Sequence, residues 1–305
     1  MAKEFFTIQE LVDEANRQQI KISDLVLENQ AEALEKSPQE VYDIMDAYFE
    51  TMIEGTHFRE RDNLPSTSGL TGGEAAKVMA YADQNQGGFA GRFFTSAVAR
   101  GMSVSNCNAA MGRIVATPTA GSCGILPGVL VTLLEEDGVA RERLVRALFV
   151  AAGFGMIIAK SASISGAEGG CQAECGSASG MAAAALVEVQ GGSPQQCADA
   201  CGMALINQLG LVCDPVAGLV EIPCVKRNAG SIAIALSAAT MALAGVDLYI
   251  PVDEVIGAMK AIGDGMPASL RETAGGGLAA TATGRALRNQ VFGKIQSTTH
   301  EDDLA

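Results

Sequence analysis

The stretch AECGSASGMAAAALVEVQGGSPQQCADACGMALINQL, residues 173–209, predicts two consecutive helices. Its first half contains four successive alanines at 182–185, and alanine has the highest helix propensity of the amino acids. Its second half opens on SPQQ at 193–196, a capping box with proline at the first helical position. The glycine and alanine that fill both halves favour close packing of helices.

The same pattern extends in both directions along the chain of 305 residues. Towards the N-terminus, capping boxes at 7–10 and 37–40 predict the starts of two more helices. Strict alternation of apolar and polar residues is confined to short segments such as GLVEIP at 218–223. Apolar segments between glycine-rich turns predict three further helices, at residues 126–135, 143–160 and 229–248. The predicted fold class is therefore mainly α, a helical domain with glycine-rich loops preceded by a small N-terminal helical segment.

A polar segment, NLPSTSGLTGG at residues 63–73, predicts a loop that ends the N-terminal lobe. We expect an N-terminal helical segment at 1–62, a helical catalytic domain at 63–290 and a polar tail at 291–305. No internal repeat and no low-complexity linker divides the chain further.

Composition limits the partners and the compartment. The formal net charge of −14 argues against nucleic acid, because a phosphate backbone is bound by clustered lysine and arginine. The start of the chain, MAKEFFTIQELVDEA, has no apolar signal-peptide core, so we expect a cytoplasmic protein. The most membrane-like stretch, residues 229–246, is uncharged but rich in small residues and barely long enough to cross a bilayer. We expect a buried helix there and no membrane partner.

The eight cysteines are expected to be reduced thiols, since no secretion signal accompanies them. Cys197 and Cys201 lie in an alanine-rich helical segment, where buried packing is the expected role. Cys171, Cys213 and Cys224 differ because each lies at a turn or element end, in SGAEGGCQAE, GLVCDPV and VEIPCVKRN. The spacings typical of zinc modules and ferredoxins are absent. From spacing alone, these three thiols are either metal ligands or buried apolar groups.

A further candidate is the segment ATPTAGSCGILPGVLVTLL at residues 116–134, where hydroxyl side chains and glycines precede an apolar helix. We call Thr117, Thr119, Gly121 and Ser122 the binding loop. Backbone N–H groups and the positive end of a helix there would attract a small carboxylate. A plain capped helix start would show the same pattern, so both interpretations stay open.

Four phrases together resemble the α chain of bacterial iron–sulfur L-serine dehydratase: ATPTAGS, SISGAEGGCQAECGSASGMAAAA, GLVCDPVAGLVEIPCVKRNA and MPASLRETAGGGLAATATG. The resemblance covers residues 70–284 and is weaker over the N-terminal helices. It implies a [4Fe-4S] cluster held by Cys171, Cys213 and Cys224, with one iron open as a Lewis acid. The implied reaction belongs to serine catabolism and gluconeogenesis: L-serine is dehydrated and deaminated to pyruvate and ammonia without pyridoxal phosphate.

The resemblance also assigns a partner and a candidate base. Single-chain relatives have a separate domain with a Ser-His-Thr motif, which this sequence lacks, so a β chain forming a heterodimer is implied. That β chain would supply the missing domain, and the base comes either from it or from this chain. Within this chain His57 is the internal histidine candidate, since His300 lies in the polar tail. Relatives commonly read T-N-G where this chain has TAG at 119–121, so an amide contact to the substrate is expected to be missing.

Three alternatives stay open. The chain is an electron carrier with Cys175 as the fourth cluster ligand, or a non-catalytic subunit that holds structural zinc through its thiols. It is otherwise a related lyase acting on L-cysteine or L-threonine, since iron would activate either leaving group. Cysteines outside the implied ligand set are expected to be packing residues; they are Cys107, Cys123, Cys175, Cys197 and Cys201.

Overall fold

A computed structural model describes residues 3–58 and 64–293, and within these ranges every regular element is helical. The prediction of a mainly α fold is confirmed. The segment 218–223 is not a strand; in the described ranges the one β-type pairing is an isolated bridge between Cys213 and Arg271. The helices are α1 Ile8–Gln18, α2 Ile22–Ala33, α3 Pro38–Thr56, α4 Glu74–Gln84, α5 Arg92–Ala109, α6 Ile125–Glu135, α7 Arg141–Ser161, α8 Gly166–Cys171, α9 Ser177–Val189, α10 Pro194–Ile206, α11 Cys224–Leu243, α12 Val252–Gly265 and α13 Ala282–Phe292.

The predicted capping boxes fix the starts of α1, α3 and α10. In each box the hydroxyl of Thr7, Ser37 or Ser193 accepts a hydrogen bond from the backbone N–H of the residue three positions later. The side chain of that later residue accepts a hydrogen bond from the backbone N–H of the capping residue. The helix predicted at 229–248 differs, because it begins at Cys224 and ends at Leu243. Proline at 223 lacks the N–H that a helix start leaves unpaired, and glycine at 245 takes a left-handed φ of 80° that ends the helix.

Helix α9 forms the centre of the core, and every residue in it is buried. It packs against α6, α7, α10 and α11. The N-terminal helices belong to the same core, since Ile8 and Phe49 are buried in one cluster with Phe154 and Leu205. The expected boundary at residue 62 falls in 59–63, outside the described residues, as does most of the tail at 291–305, so this division stays a prediction.

Helix α7 is the one helix of the described ranges that is long and apolar enough to cross a membrane by length and composition. Of its most apolar window, 67% is buried inside the protein. One such helix is weak evidence for a membrane span and matches the core helix of a soluble fold.

Helices α5 and α6 meet at Gly101 and Gly124 with no space for a side chain between them. A Cβ added at Gly124 would lie 2.1 Å from the carbonyl oxygen of Gly101. The φ of Gly124 is −87°, so the glycine is required for space and not for backbone conformation. This approach fixes the start of α6 and hence the binding loop before it.

Replacing Gly124 by alanine should lower the free energy of unfolding by about 3 kcal/mol, because the obstacle is backbone that cannot rotate away. Denaturant titration under reducing conditions measures this. Gly230→Ala in α11 is the matched control, since nothing lies within 4 Å of its added Cβ. The control should gain up to about 1 kcal/mol from helix propensity. Similar values for the two variants would contradict the packing argument.

Candidate metal centre

Cys171, Glu174 and Cys213 form a buried cluster whose ligand atoms all lie within 4.8 Å of one another. Cys171 ends α8, and Glu174 lies in the π-helical turn Gln172–Gly176 that connects α8 to α9. Such turns inside helices occur frequently at functional sites. Two thiols and a carboxylate converging in the interior are a donor set suited to a metal.

The segment around Cys213 reaches the cluster through a short backbone pairing. Its N–H donates to the carbonyl of Leu270 at 2.8 Å, and its carbonyl accepts from the N–H of Glu272 at 2.7 Å. Gly166 lies beside Cys213 and leaves room there because it has no side chain. A Cβ there would lie 3.0 Å from Cys213 Sγ and 3.2 Å from Oε2 of both Glu174 and Glu272. The groups that converge on this point are therefore two carboxylates and a thiol.

The cluster favours a thiolate at Cys171. Hydrogen bonds from Cys175 and Cys213, together with the positive charge of Arg227, lower the pKa of Cys171 to about 3. The same bonds and burial raise the pKa of both donor thiols, Cys175 and Cys213. The thiolate is the form that binds metal, so these surroundings favour the metal-binding form of Cys171.

Burial raises the pKa of Glu174 to about 7, against the hydrogen bond from Thr119, which lowers it. The negative charge of Cys171 adds to the increase.

Cys224 begins α11 and is buried. It does not belong to the group of Cys171, Glu174 and Cys213, whose ligand atoms lie within 4.8 Å of one another. Burial and the charges of Cys171 and Glu174 raise the pKa of Cys224, which places it in their electrostatic neighbourhood.

The binding loop predicted from sequence adjoins this centre. Thr119 Oγ1 donates to Glu174 Oε1 at 2.5 Å, and a Cβ at Gly121 would lie 2.5 Å from the same oxygen. Thr117 and Ser122 are buried within the loop, where the Ser122 hydroxyl donates to the Thr117 carbonyl at 3.1 Å. The structure thus brings together two of the three predicted cysteine ligands and the loop predicted to hold a carboxylate.

Asn228 connects the loop to the helix that carries Cys224. Its side chain is fully buried and donates to the carbonyls of Gly121 at 2.7 Å and Cys224 at 2.9 Å. Its Oδ1 accepts from the N–H of Gly124 at 2.9 Å. The side-chain amide of Asn228 therefore forms hydrogen bonds with three backbone groups, which lie in two separate segments.

His57 lies elsewhere. It caps the C-terminal end of α3, and its Nε2 lies 2.7 Å from Glu135 Oε1, the last residue of α6. The binding loop precedes the other end of α6, and a helix of 11 residues is about 16 Å long. The structure does not bring His57 to the cysteine cluster, and its role as base stays a prediction.

Sequence reasoning missed the polar residues that surround the predicted ligands, namely Glu174, Asp214, Arg227, Asn228 and Glu272. The separation of residues along a helix could have predicted two of these polar residues. Glu174 and Arg227 each follow a predicted ligand, Cys171 or Cys224, by three residues, which places such pairs on one face of a helix.

Fold and site define a helical protein with a buried, cysteine-rich candidate metal centre beside a hydroxyl-rich loop. The profile of the family described as "Serine dehydratase alpha chain" matches residues 17–279. The chain belongs to this family, and the family predicted from sequence is confirmed.

Curated relatives agree with that membership. The "Probable L-serine dehydratase, alpha chain" of Bacillus subtilis (strain 168) is 50% identical over 289 residues, which cover 95% of this chain and 96% of the relative. The "L-serine dehydratase, alpha chain" of Peptoniphilus asaccharolyticus is 43% identical over 290 residues, covering 94% and 98%. The "L-serine dehydratase" of Streptomyces coelicolor (strain ATCC BAA-471 / A3(2) / M145) is 45% identical over 185 residues, covering 58% and 40%. The prediction of an enzyme of the lyase class is thereby confirmed.

Asn228→Asp keeps the shape of the side chain but replaces the donor facing Gly121 and Cys224 by an acceptor. Both carbonyls lose their donor, so the free energy of unfolding should fall by about 2 kcal/mol or more. The control Asn207→Asp removes one hydrogen bond, to the Met203 carbonyl, at an exposed helix end and should cost at most about 1 kcal/mol. Chemical denaturation of the reduced proteins compares them, and equal losses would argue against the bridging role.

Proposed function

We propose that this chain is the catalytic α chain of an L-serine ammonia-lyase that forms pyruvate and ammonia. It uses a [4Fe-4S] cluster held by Cys171, Cys213 and Cys224. The observation that supports this most is the buried convergence of Cys171, Cys213 and Glu174 next to the binding loop. The names of the relatives support L-serine as substrate.

The donor set fits an iron–sulfur cluster. Clusters of this kind are held by cysteine thiolates, and the surroundings of Cys171 stabilise its thiolate. Glycines at 121 and 166 keep the approaches to the cluster free of side chains. When bound, a cluster with three cysteine ligands supplies an open iron that acts as a Lewis acid towards the substrate hydroxyl.

The protein's own residues bind and orient the substrate. The backbone N–H groups of the turn Ala120–Ser122 and the start of α6 form a seat for the carboxylate. Glu174 fixes this seat relative to Cys171 through its hydrogen bond from Thr119. Burial of the surrounding groups keeps bulk water away, which strengthens each charged contact with the substrate.

A β chain completes the enzyme in this proposal. Two relatives that match nearly the whole chain are named as alpha chains, which supports a separate partner. The β chain forms a heterodimer with this chain and supplies the base, since His57 lies at the far end of α6 from the binding loop. The eight cysteines are free in the structure, which fits a cytoplasmic, reducing environment.

A second candidate is an electron carrier with a fully ligated cluster. It is favoured by Cys175, which is buried and donates a hydrogen bond to Cys171, so a fourth thiol lies beside the candidate ligands.

Adding L-serine to the anaerobically reconstituted protein distinguishes the lyase from the electron carrier. A changed spectrum with pyruvate formation supports the lyase, and a reversible redox couple indifferent to serine supports the carrier. Parallel assays with L-cysteine and L-threonine identify a related lyase.

Cys213→Ser should abolish both the brown colour and pyruvate formation, because a hydroxyl is a poor replacement for a thiolate ligand. Iron content, visible absorbance and pyruvate release measure the outcome. Cys201→Ser is the control, since this thiol is also fully buried but lies within α10. It should retain iron and colour. A Cys213→Ser protein that is cluster-loaded and fully active would reject the ligand assignment.

Co-expression with a β chain should be required for full activity, because the α chain places no histidine at the candidate metal centre in its described residues. The measurement is the kcat for pyruvate formation by the reconstituted α chain, alone and with the β chain at equal cluster content. Full turnover by the α chain alone would refute the partner proposal.

A further inference from the structure

We propose that Arg227 is the positioning residue of the metal centre, which holds the three ligand-bearing segments together and offsets the negative charge of the bound cluster. This inference rests on the proposed function, because it assigns a role toward the cluster that Cys171, Cys213 and Cys224 are proposed to hold.

The guanidinium of Arg227 contacts the segments of both cysteines in the cluster. Its Nη1 donates to Cys171 Sγ at 3.3 Å and to the carbonyl of Val212 at 2.8 Å. Its Nη2 donates to Asp214 Oδ1 at 2.8 Å. Val212 and Asp214 flank Cys213, so one side chain binds a thiol directly and fixes the second through its two neighbours.

The third segment is the one that carries Arg227 itself. Arg227 lies in the first turn of α11, three residues after Cys224. Residues three apart share a helix face, so the guanidinium extends from the face that bears the third predicted ligand. A displacement of α11 would therefore move Cys224 and Arg227 together and break the contacts to the other two segments.

Asp214 holds the guanidinium in a fixed orientation. Its side chain is only 4% exposed, and its Oδ2 accepts from the N–H of Leu278 at 2.6 Å. The glycine at 277 has a φ of 56°, and a Cβ there would lie 2.2 Å from Asp214 Oδ2. A backbone N–H and a residue without a side chain thus fix the carboxylate, which in turn fixes Arg227.

A lysine would not replace this contact. The Arg227 side chain is 16% exposed and donates in several directions from one planar group. Lysine carries its charge at a single nitrogen and lacks the fork that reaches a thiol, a carbonyl and a carboxylate at once. The arrangement therefore requires arginine for its geometry as well as for its charge.

The charge of Arg227 also acts on the cluster. Hydrogen bonds to cluster sulfurs and the net charge around them set the reduction potential. The carboxyl groups of Glu174 and Glu272 converge with Cys213 Sγ around Gly166, and their negative charge would oppose the addition of an electron. Arg227 places the opposite charge against Cys171, so its removal should make the reduction potential more negative.

The test compares Arg227→Met, Arg227→Lys and the control Lys226→Met in the reconstituted α chain. Lys226 lies in the same turn but is exposed, so its loss removes equal charge without the buried contacts. Chelator-driven loss of the cluster, followed by visible absorbance, should be about 10-fold or more faster in Arg227→Met. Its reduction potential should be more negative than that of the wild type. Arg227→Lys should restore much of the potential but not the slow cluster loss, and the control should behave as wild type.

Folding is checked by circular dichroism of each apo protein. If Arg227→Met does not fold, Arg227→Lys is compared with the wild type instead. Faster cluster loss from Arg227→Lys at an unchanged unfolding midpoint supports the proposal. Cluster loss at the wild-type rate overturns it. A folded Arg227→Met with the cluster loss and reduction potential of the wild type also overturns it. The proposed function stays intact in that case if the wild-type α chain forms pyruvate together with its β chain. A wild type that binds no iron overturns both.

Discussion

Burial of negative charge beside Cys171 is the constraint on which the rest of the site depends. A thiolate in a helical interior is costly unless hydrogen bonds and positive charge compensate it. Thiol donors at Cys175 and Cys213 and the guanidinium of Arg227 provide that compensation. Glu174 adds a carboxylate to the same small space, where burial and the negative charge of Cys171 raise its pKa. A bound cation would supply the positive charge that these side chains leave unbalanced.

Three glycines allow close approaches between segments that come from separate parts of the chain. Gly166 and Gly121 lie where a Cβ would meet a thiol or carboxylate, and Gly124 lies where α6 touches the backbone of α5. These glycines are therefore explained by close approach and not by turn conformation. Helices α7, α9 and α10 contribute to the buried core from which the loops extend.

The sequence predicted those parts of the structure that depend on local interactions. Capping boxes located the starts of α1, α3 and α10, because each box is satisfied within four residues. The turn-associated cysteines and the binding loop were recognised from residue type and resemblance. What was missed depends on contacts between distant residues: Asp214 with Leu278, and Arg227 with Cys171, 56 positions apart. The π-helical turn at Gln172–Gly176 was not predicted either, because its residue pattern is that of an ordinary α-helix.

The first turn of α11 links the metal centre to the binding loop. Arg227 and Asn228 are consecutive, so their side chains leave the helix about 100° apart. Arg227 binds Cys171 and the segment around Cys213, while Asn228 binds both ends of the turn from Gly121 to Gly124. Since both residues and Cys224 lie on one rigid helical turn, a shift of any ligand segment would be transmitted to the loop. The positions of the candidate metal ligands and of the binding loop are thus set by a single element.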